Sequence, residues 1–115
     1  MTAKIQFIRG LDEKSLPDVS LTCSRDGSTG TAKFQFKNPN ILNKNTSKKG
    51  EITGIYLIYK EDILETCDVR IKFKNGKPQS VESIYIIKNY RTWERFRRFM
   101  KHYGEIYGLV FSKSN

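Results

Sequence analysis

The 115-residue chain predicts an α+β fold: an antiparallel sheet of hairpins, one long C-terminal amphipathic helix and a short terminal strand. Three observations carry this. Apolar residues alternate with a period of two through several runs before Lys88, the pair Asn75-Gly76 joins two of those runs, and after Thr92 the apolar spacing changes to three and four. A chain of this length is expected to form a single domain, residues 1–115, with a core large enough to fold without disulfide or metal staples.

Ala3 to Arg9 reads as a first strand, with Ile5 and Phe7 on one face and Gly10 closing it; a polar stretch follows. Val19, Leu21 and Cys23 share a face, Arg25-Asp26-Gly27-Ser28 supplies turn chemistry, and Ala32, Phe34 and Phe36 resume the alternation, which predicts a hairpin. Asn38 to Gly50 is rich in asparagine and lysine and predicts a long exposed loop. Ile52 to Tyr59 is apolar on both faces and suits the centre of a sheet, ended by Lys60, Glu61 and Asp62. Val69, Ile71 and Phe73 lead into Asn75-Gly76, where a type I′ turn wants positive φ at both central residues. Val81, Ser83, Tyr85 and Ile87 form the return strand.

Trp93, Phe96, Met100, Tyr103 and Tyr107 make a helical stripe that Phe99 and Ile106 widen. Thr92 is the expected N-cap, Glu94 a first-turn anion and Gly108 the terminator. Leu109, Val110 and Phe111 then read as a short strand before a polar tail from Ser112 to Asn115.

Lys and Arg number 21 against 12 Asp and Glu, a net charge of +9 that favours nucleic acid, anionic lipid or acidic protein surfaces as partners. No stretch suits a transmembrane helix, and Met1 to Ile8 lacks the pattern of a secretory signal. Cys23 and Cys67 form no CxxC pair and the single histidine, His102, is distant from both in sequence, which argues against structural zinc. The two cysteines read as ordinary half-buried thiols, with one disulfide or redox pair as the alternative.

The segment Lys88 to His102 holds six basic residues and one acid. Arg91, Arg95, Arg98 and His102 recur at spacings of four, three and four and should share one ridge, either a solvated face or a docking face for phosphate or acidic protein. Single-strand nucleic-acid binding needs exposed aromatics, whereas Phe34, Phe36, Phe73 and the helix aromatics all fall at core-facing periods. A catalytic reading lacks a base beside a nucleophile, and His102 reads as a surface residue. The acids Glu61, Asp62, Glu65 and Asp68 read as a charged turn, since a calcium loop needs tighter spacing and a shaping glycine. Residues 24–30 are glycine-bearing but precede a strand rather than a helix, so they make a hairpin and no phosphate cradle.

The residues also carry a resemblance. Ile5-Gln6-Phe7 with Arg9-Gly10, Pro17-Asp18-Val19 with Leu21-Thr22, Ser24-Arg25-Asp26-Gly27-Ser28 and Gly30-Thr31-Ala32 are followed by Glu51-Ile52-Thr53-Gly54, Tyr56-Leu57 and Asn75-Gly76 with Pro78. Trp93 with Arg95-Phe96, Arg98-Phe99-Met100, Tyr103, Gly108-Leu109 and Phe111-Ser112-Lys113 complete the order. This sequence of blocks resembles the Psb-twenty-eight family, the W-type or thirteen-kilodalton proteins of the photosystem II reaction centre.

The resemblance implies a non-catalytic, cofactor-free peripheral subunit, monomeric in isolation, that binds assembly or repair intermediates of photosystem II transiently. It places the protein on the cytosolic or stromal side of the thylakoid membrane, in a cyanobacterium or plastid. The implied partners are the tail of the larger core chlorophyll antenna and a loop of the D-one subunit, near the secondary quinone site. Strand addition would give such docking its affinity. Candidate docking residues are Arg25, Asp26, Gly27, Ser28 and Gly30 in the hairpin, Arg91, Arg95 and Arg98 on the helix, and Leu109, Phe111, Ser112 and Lys113 in the tail. A basic nucleic-acid-binding module is the alternative.

Overall fold

Strand β1 (Ala3–Ile8) buries Ala3, Ile5 and Phe7, as its alternation requires, and turns at Gly10, whose φ of +94° suits glycine. The Gln6 side chain closes that turn: its Oε1 accepts from the Gly10 amide at 2.9 Å, while Nε2 donates to Asp12 at 2.6 Å. A two-residue strand, β2 (Leu11–Asp12), therefore pairs where a polar connection is expected from sequence. The computed structural model describes residues 3–26, 28–37, 39, 42, 52–107 and 112–114.

β3 (Asp18–Cys23) and β4 (Gly30–Lys37) form the expected hairpin, with Val19, Ala32, Phe34 and Phe36 buried. Most of the expected loop from Asn38 to Gly50 lies outside the described residues. β5 (Ile55–Tyr59) starts three residues later than its apolar run, and it does occupy the interior of a sheet. Lys60, in the left-handed region at φ 56°, then turns the chain tightly into β6 (Asp62–Thr66). The acids read as a charged turn are thus redistributed: Asp62 and Glu65 belong to a strand, with Leu64 buried between them. β7 (Val69–Lys74) and β8 (Lys77–Ile87) meet at Asn75 and Gly76, whose φ values of 54° and 78° are those of the expected type I′ turn.

These strands make two sheets rather than one. The first has the order β2-β1-β5-β6; the second, β7-β8-β4-β3-β9, ends in β9 (Ser112–Ser114), which runs parallel to β3. The terminal strand thus lies three residues beyond its expected start, and Leu109 to Phe111 fall outside the described residues. The sheets face one another through Phe7 and Phe36, whose rings meet edge to face at 4.9 Å.

Helix α1 (Tyr90–Tyr107) packs against both sheets. Phe96 stacks on Tyr85 at 5.8 Å and meets Phe34 edge-on at 6.2 Å, and Trp93, Phe99, Met100 and Tyr103 are buried beside it. The helix begins earlier than Thr92. Asn89 is its N-cap, with Oδ1 accepting from both the Thr92 amide and the Thr92 hydroxyl at 2.9 Å, so Thr92 donates inside the first turn and Glu94 lies past it. Ile106 is exposed rather than part of the buried stripe, and Gly108 is outside the described residues. No described helix is long and apolar enough to cross a membrane.

Candidate docking surfaces

The hairpin after β3 is knitted by one carboxylate. Asp26 Oδ1 accepts from the Ser24 hydroxyl at 2.8 Å, the Ser28 amide at 3.0 Å and the Ser28 hydroxyl at 2.7 Å. The Ser28 amide and hydroxyl, followed by Ser24, hold this exposed carboxyl down at about 2. The Tyr90 hydroxyl donates to the Asp26 carbonyl at 3.3 Å, which ties the turn to the start of α1. Arg25 stands exposed in this turn; Gly27 is outside the described residues.

Gly30 has a packing role. A Cβ built there would lie 2.7 Å from both the Thr22 carbonyl oxygen and Cζ2 of Trp93, so the indole rests where any other residue would place its side chain. Arg91 and Arg98 are exposed on α1, whereas Arg95 is half-buried and engaged: Nε and Nη2 donate to Asp62 Oδ1 at 2.9 and 2.5 Å, and Nη2 to the Ile63 carbonyl at 3.1 Å. The Arg95 hydrogen bonds outweigh desolvation and hold the Asp62 carboxyl below its ordinary range, with a further contribution from Arg98. His102 stacks on Tyr59 with ring centroids 4.2 Å apart. Ser112 and Lys113 pair in register with Ser20 and Leu21 of β3; Leu109 and Phe111 are outside the described residues. The structure therefore joins the hairpin to the helix start, keeps the tail along β3, and gives Gly30 and Arg95 internal partners.

A second surface lies on β7, at the opposite end of the five-stranded sheet. Among the described residues this strand pairs only with β8. Ile71 and Phe73 are 38% and 64% exposed, and Arg70, Lys72 and Lys74 alternate with them. Glu82, nearly buried on the neighbouring strand, receives Lys72 at 2.8 Å and Lys33 at 3.6 Å; the Lys72 hydrogen bond, opposed by burial, lowers its pKa from the ordinary glutamate value. Phe73 is thus not a core residue, contrary to its period. Cys23 is half-buried, whereas Cys67 is exposed. No group of three or more His, Cys, Asp or Glu among the described residues is arranged to hold a metal ion.

Residues 5–111 match the family model described as Psb28 protein. The chain belongs to the Psb28 family. It is similar to the protein named "Photosystem II reaction center Psb28 protein" of Phaeodactylum tricornutum, 68% identical over 115 residues and covering 100% of each chain. The protein of the same name in Guillardia theta is 55% identical over 113 residues, 98% of this chain and 97% of the relative. That of Trichormus variabilis is 53% identical over 112 residues, 97% and 99% of the two chains.

The family read from the ordered blocks of the sequence is thus the family to which the chain belongs. Sequence periodicity does not reveal the β7 surface, because Phe73 carries the period of a core residue. The alternation carries no signal of it: Arg70, Lys72 and Lys74 mark one face as solvated, and the face with Ile71 and Phe73 has the pattern of a covered one.

Proposed function

We propose that this member of the Psb28 family is a non-catalytic, peripheral assembly or repair factor of photosystem II. It binds assembly intermediates transiently on the cytosolic or stromal face of the thylakoid membrane, through the core antenna tail and the D-one loop. Support for the complex comes from the relatives, each named as a photosystem II reaction centre protein. Support for the mode of docking comes from one observation: among the described residues β7 is an edge strand, and its exposed Ile71 and Phe73 alternate with cations. An unpaired edge offers backbone donors and acceptors to an incoming strand, and the alternating side chains select one that is apolar on one face and acidic on the other. The knitted hairpin with Arg25, the helix cations Arg91 and Arg98, and the tail with Lys113 serve as secondary contacts.

The test is affinity purification of the tagged protein from gently solubilised membranes of a photosynthetic host. Photosystem II core subunits, in subcomplexes lacking the water-oxidising extrinsic proteins, are the expected co-purifying partners. Ile71→Asp with Phe73→Asp should abolish their recovery while leaving the far-ultraviolet circular dichroism unchanged. Recovery of RNA or ribosomal proteins in their place would overturn the reading in favour of a nucleic-acid module.

A further inference from the structure

Between β3 and α1 lies an apolar slot of about 310 Å³, walled by Leu21, Cys23, Trp93, Phe96 and Met100. Arg97 and Lys101 stand at its rim and also line a wider, more polar groove of about 670 Å³ that reaches Lys60 and Arg98. Two cations therefore separate an apolar cleft from a polar one. Trp93 is only 3% exposed, yet among the described residues its indole N–H has no hydrogen-bond partner. The Arg97 guanidinium lies 5.3 Å from the centre of the Trp93 ring and 3.5 Å from Glu94, held at the mouth of the slot.

We propose that this side of α1 binds an anionic membrane lipid, with part of an acyl chain in the slot beside Trp93 and the headgroup on Arg97 and Lys101. The inference rests on the reading of the chain as a membrane-peripheral protein. A lipid supplies an apolar chain and an anionic head in the order that the slot and its rim present them. A peptide in the slot would bring backbone amides that need acceptors, and the side chains of the slot offer only the Cys23 sulfur, a weak one. The surrounding segment, Lys88 to His102, holds six basic residues and one acid, which draws the helix toward an anionic surface before the slot is filled.

Trp93 is the only tryptophan of the sequence, so its emission reports the slot directly. The full-length protein is mixed with vesicles of phosphatidylcholine alone, or of phosphatidylcholine with phosphatidylglycerol carrying plain or brominated acyl chains. Binding is expected for the vesicles containing phosphatidylglycerol, with bromine quenching Trp93. Arg97→Gln with Lys101→Gln should weaken it roughly thirtyfold, about fivefold for each cation at an anionic surface. Both substitutions are on the surface, so the variant folds.

Equal binding to phosphatidylcholine vesicles overturns the proposal, as does binding without quenching or without sensitivity to the double substitution. A perturbation of Trp93 by a soluble Glu-Leu peptide, with none by the vesicles, overturns it in favour of an acidic protein partner. Recovery of photosystem II subunits is scored separately, with the unsubstituted protein. Failed recovery with intact lipid binding counts against the photosystem reading, whereas failed lipid binding by the unsubstituted protein with intact recovery counts against the lipid site alone.

Discussion

Arg95 reaches from α1 to clasp Asp62 at the first position of β6, donating through two nitrogens to the carboxylate and through one of them to the Ile63 carbonyl. This joins the helix to the edge of the four-stranded sheet. Both side chains are about a third exposed, so solvent screens the pair and Arg95→Ala should cost about 1 kcal/mol. Arg98→Ala, removing an exposed cation, should stay within about 0.5 kcal/mol. Urea midpoints of the two variants provide the comparison. Because the folded-state pKa of Asp62 is depressed, its stabilising contribution is present above the ordinary aspartate range and is lost as pH falls through the folded value. The gap between Arg95→Ala and the native chain should accordingly narrow below about pH 4.

Gly30→Ala should destabilise the protein by about 1–3 kcal/mol, because the added methyl would meet the Thr22 carbonyl and the Trp93 indole and one of them must move. Thermal unfolding followed by Trp93 fluorescence checks this, and a native emission spectrum with an unchanged midpoint would show that the ring shifts freely.

The Asp26 carboxyl should titrate at about 2 in a carbon-detected NMR experiment. Ser28→Ala, leaving only the amide of that residue, should move the midpoint upward. The contribution of this turn to stability is fully present above the ordinary aspartate range and is lost as pH falls from there through about 2.

Phe96→Ala should cost about 3–5 kcal/mol, since the ring is buried between Tyr85, Phe34 and Trp93. Phe73→Ala should change stability by less than about 0.5 kcal/mol despite its place in an alternating apolar run. Chemical denaturation of the pair separates core from surface; a large loss from Phe73→Ala would mean that β7 is covered.

The elements with a clear period are legible: the hairpin of β3 and β4, the Asn75-Gly76 turn, β8 and the helix stripe from Trp93 to Tyr103 form where the pattern places them. What was missed had no period to read. β2 spans two residues and β9 three polar ones, while β6 carries adjacent Ile63 and Leu64 and follows a turn whose left-handed residue is Lys60 instead of glycine or asparagine. Residue type places the helix start one turn late, since Thr92 is a good cap, whereas Asn89 accepts from the Thr92 amide and caps the helix itself. Of the candidate site residues, Arg95 and Gly30 gained partners that only tertiary structure supplies: a carboxylate 33 positions away and an indole ring. Phe73 was misplaced for a related reason. Alternation tells which face a side chain takes, and Ile71 does share its face with Val81, but it does not tell how far the sheet beneath extends.

The cationic rhythm of β7 has a bearing on self-recognition. Two copies meeting edge to edge in antiparallel fashion would bring Arg70, Lys72 and Lys74 of one against the same residues of the other, and like charges set opposite one another push strands apart. The same side chains that welcome an acidic strand turn a twin away. A concentrated solution of this chain is thereby protected from pairing through this edge by its own charge, and that protection weakens as added salt screens the repulsion.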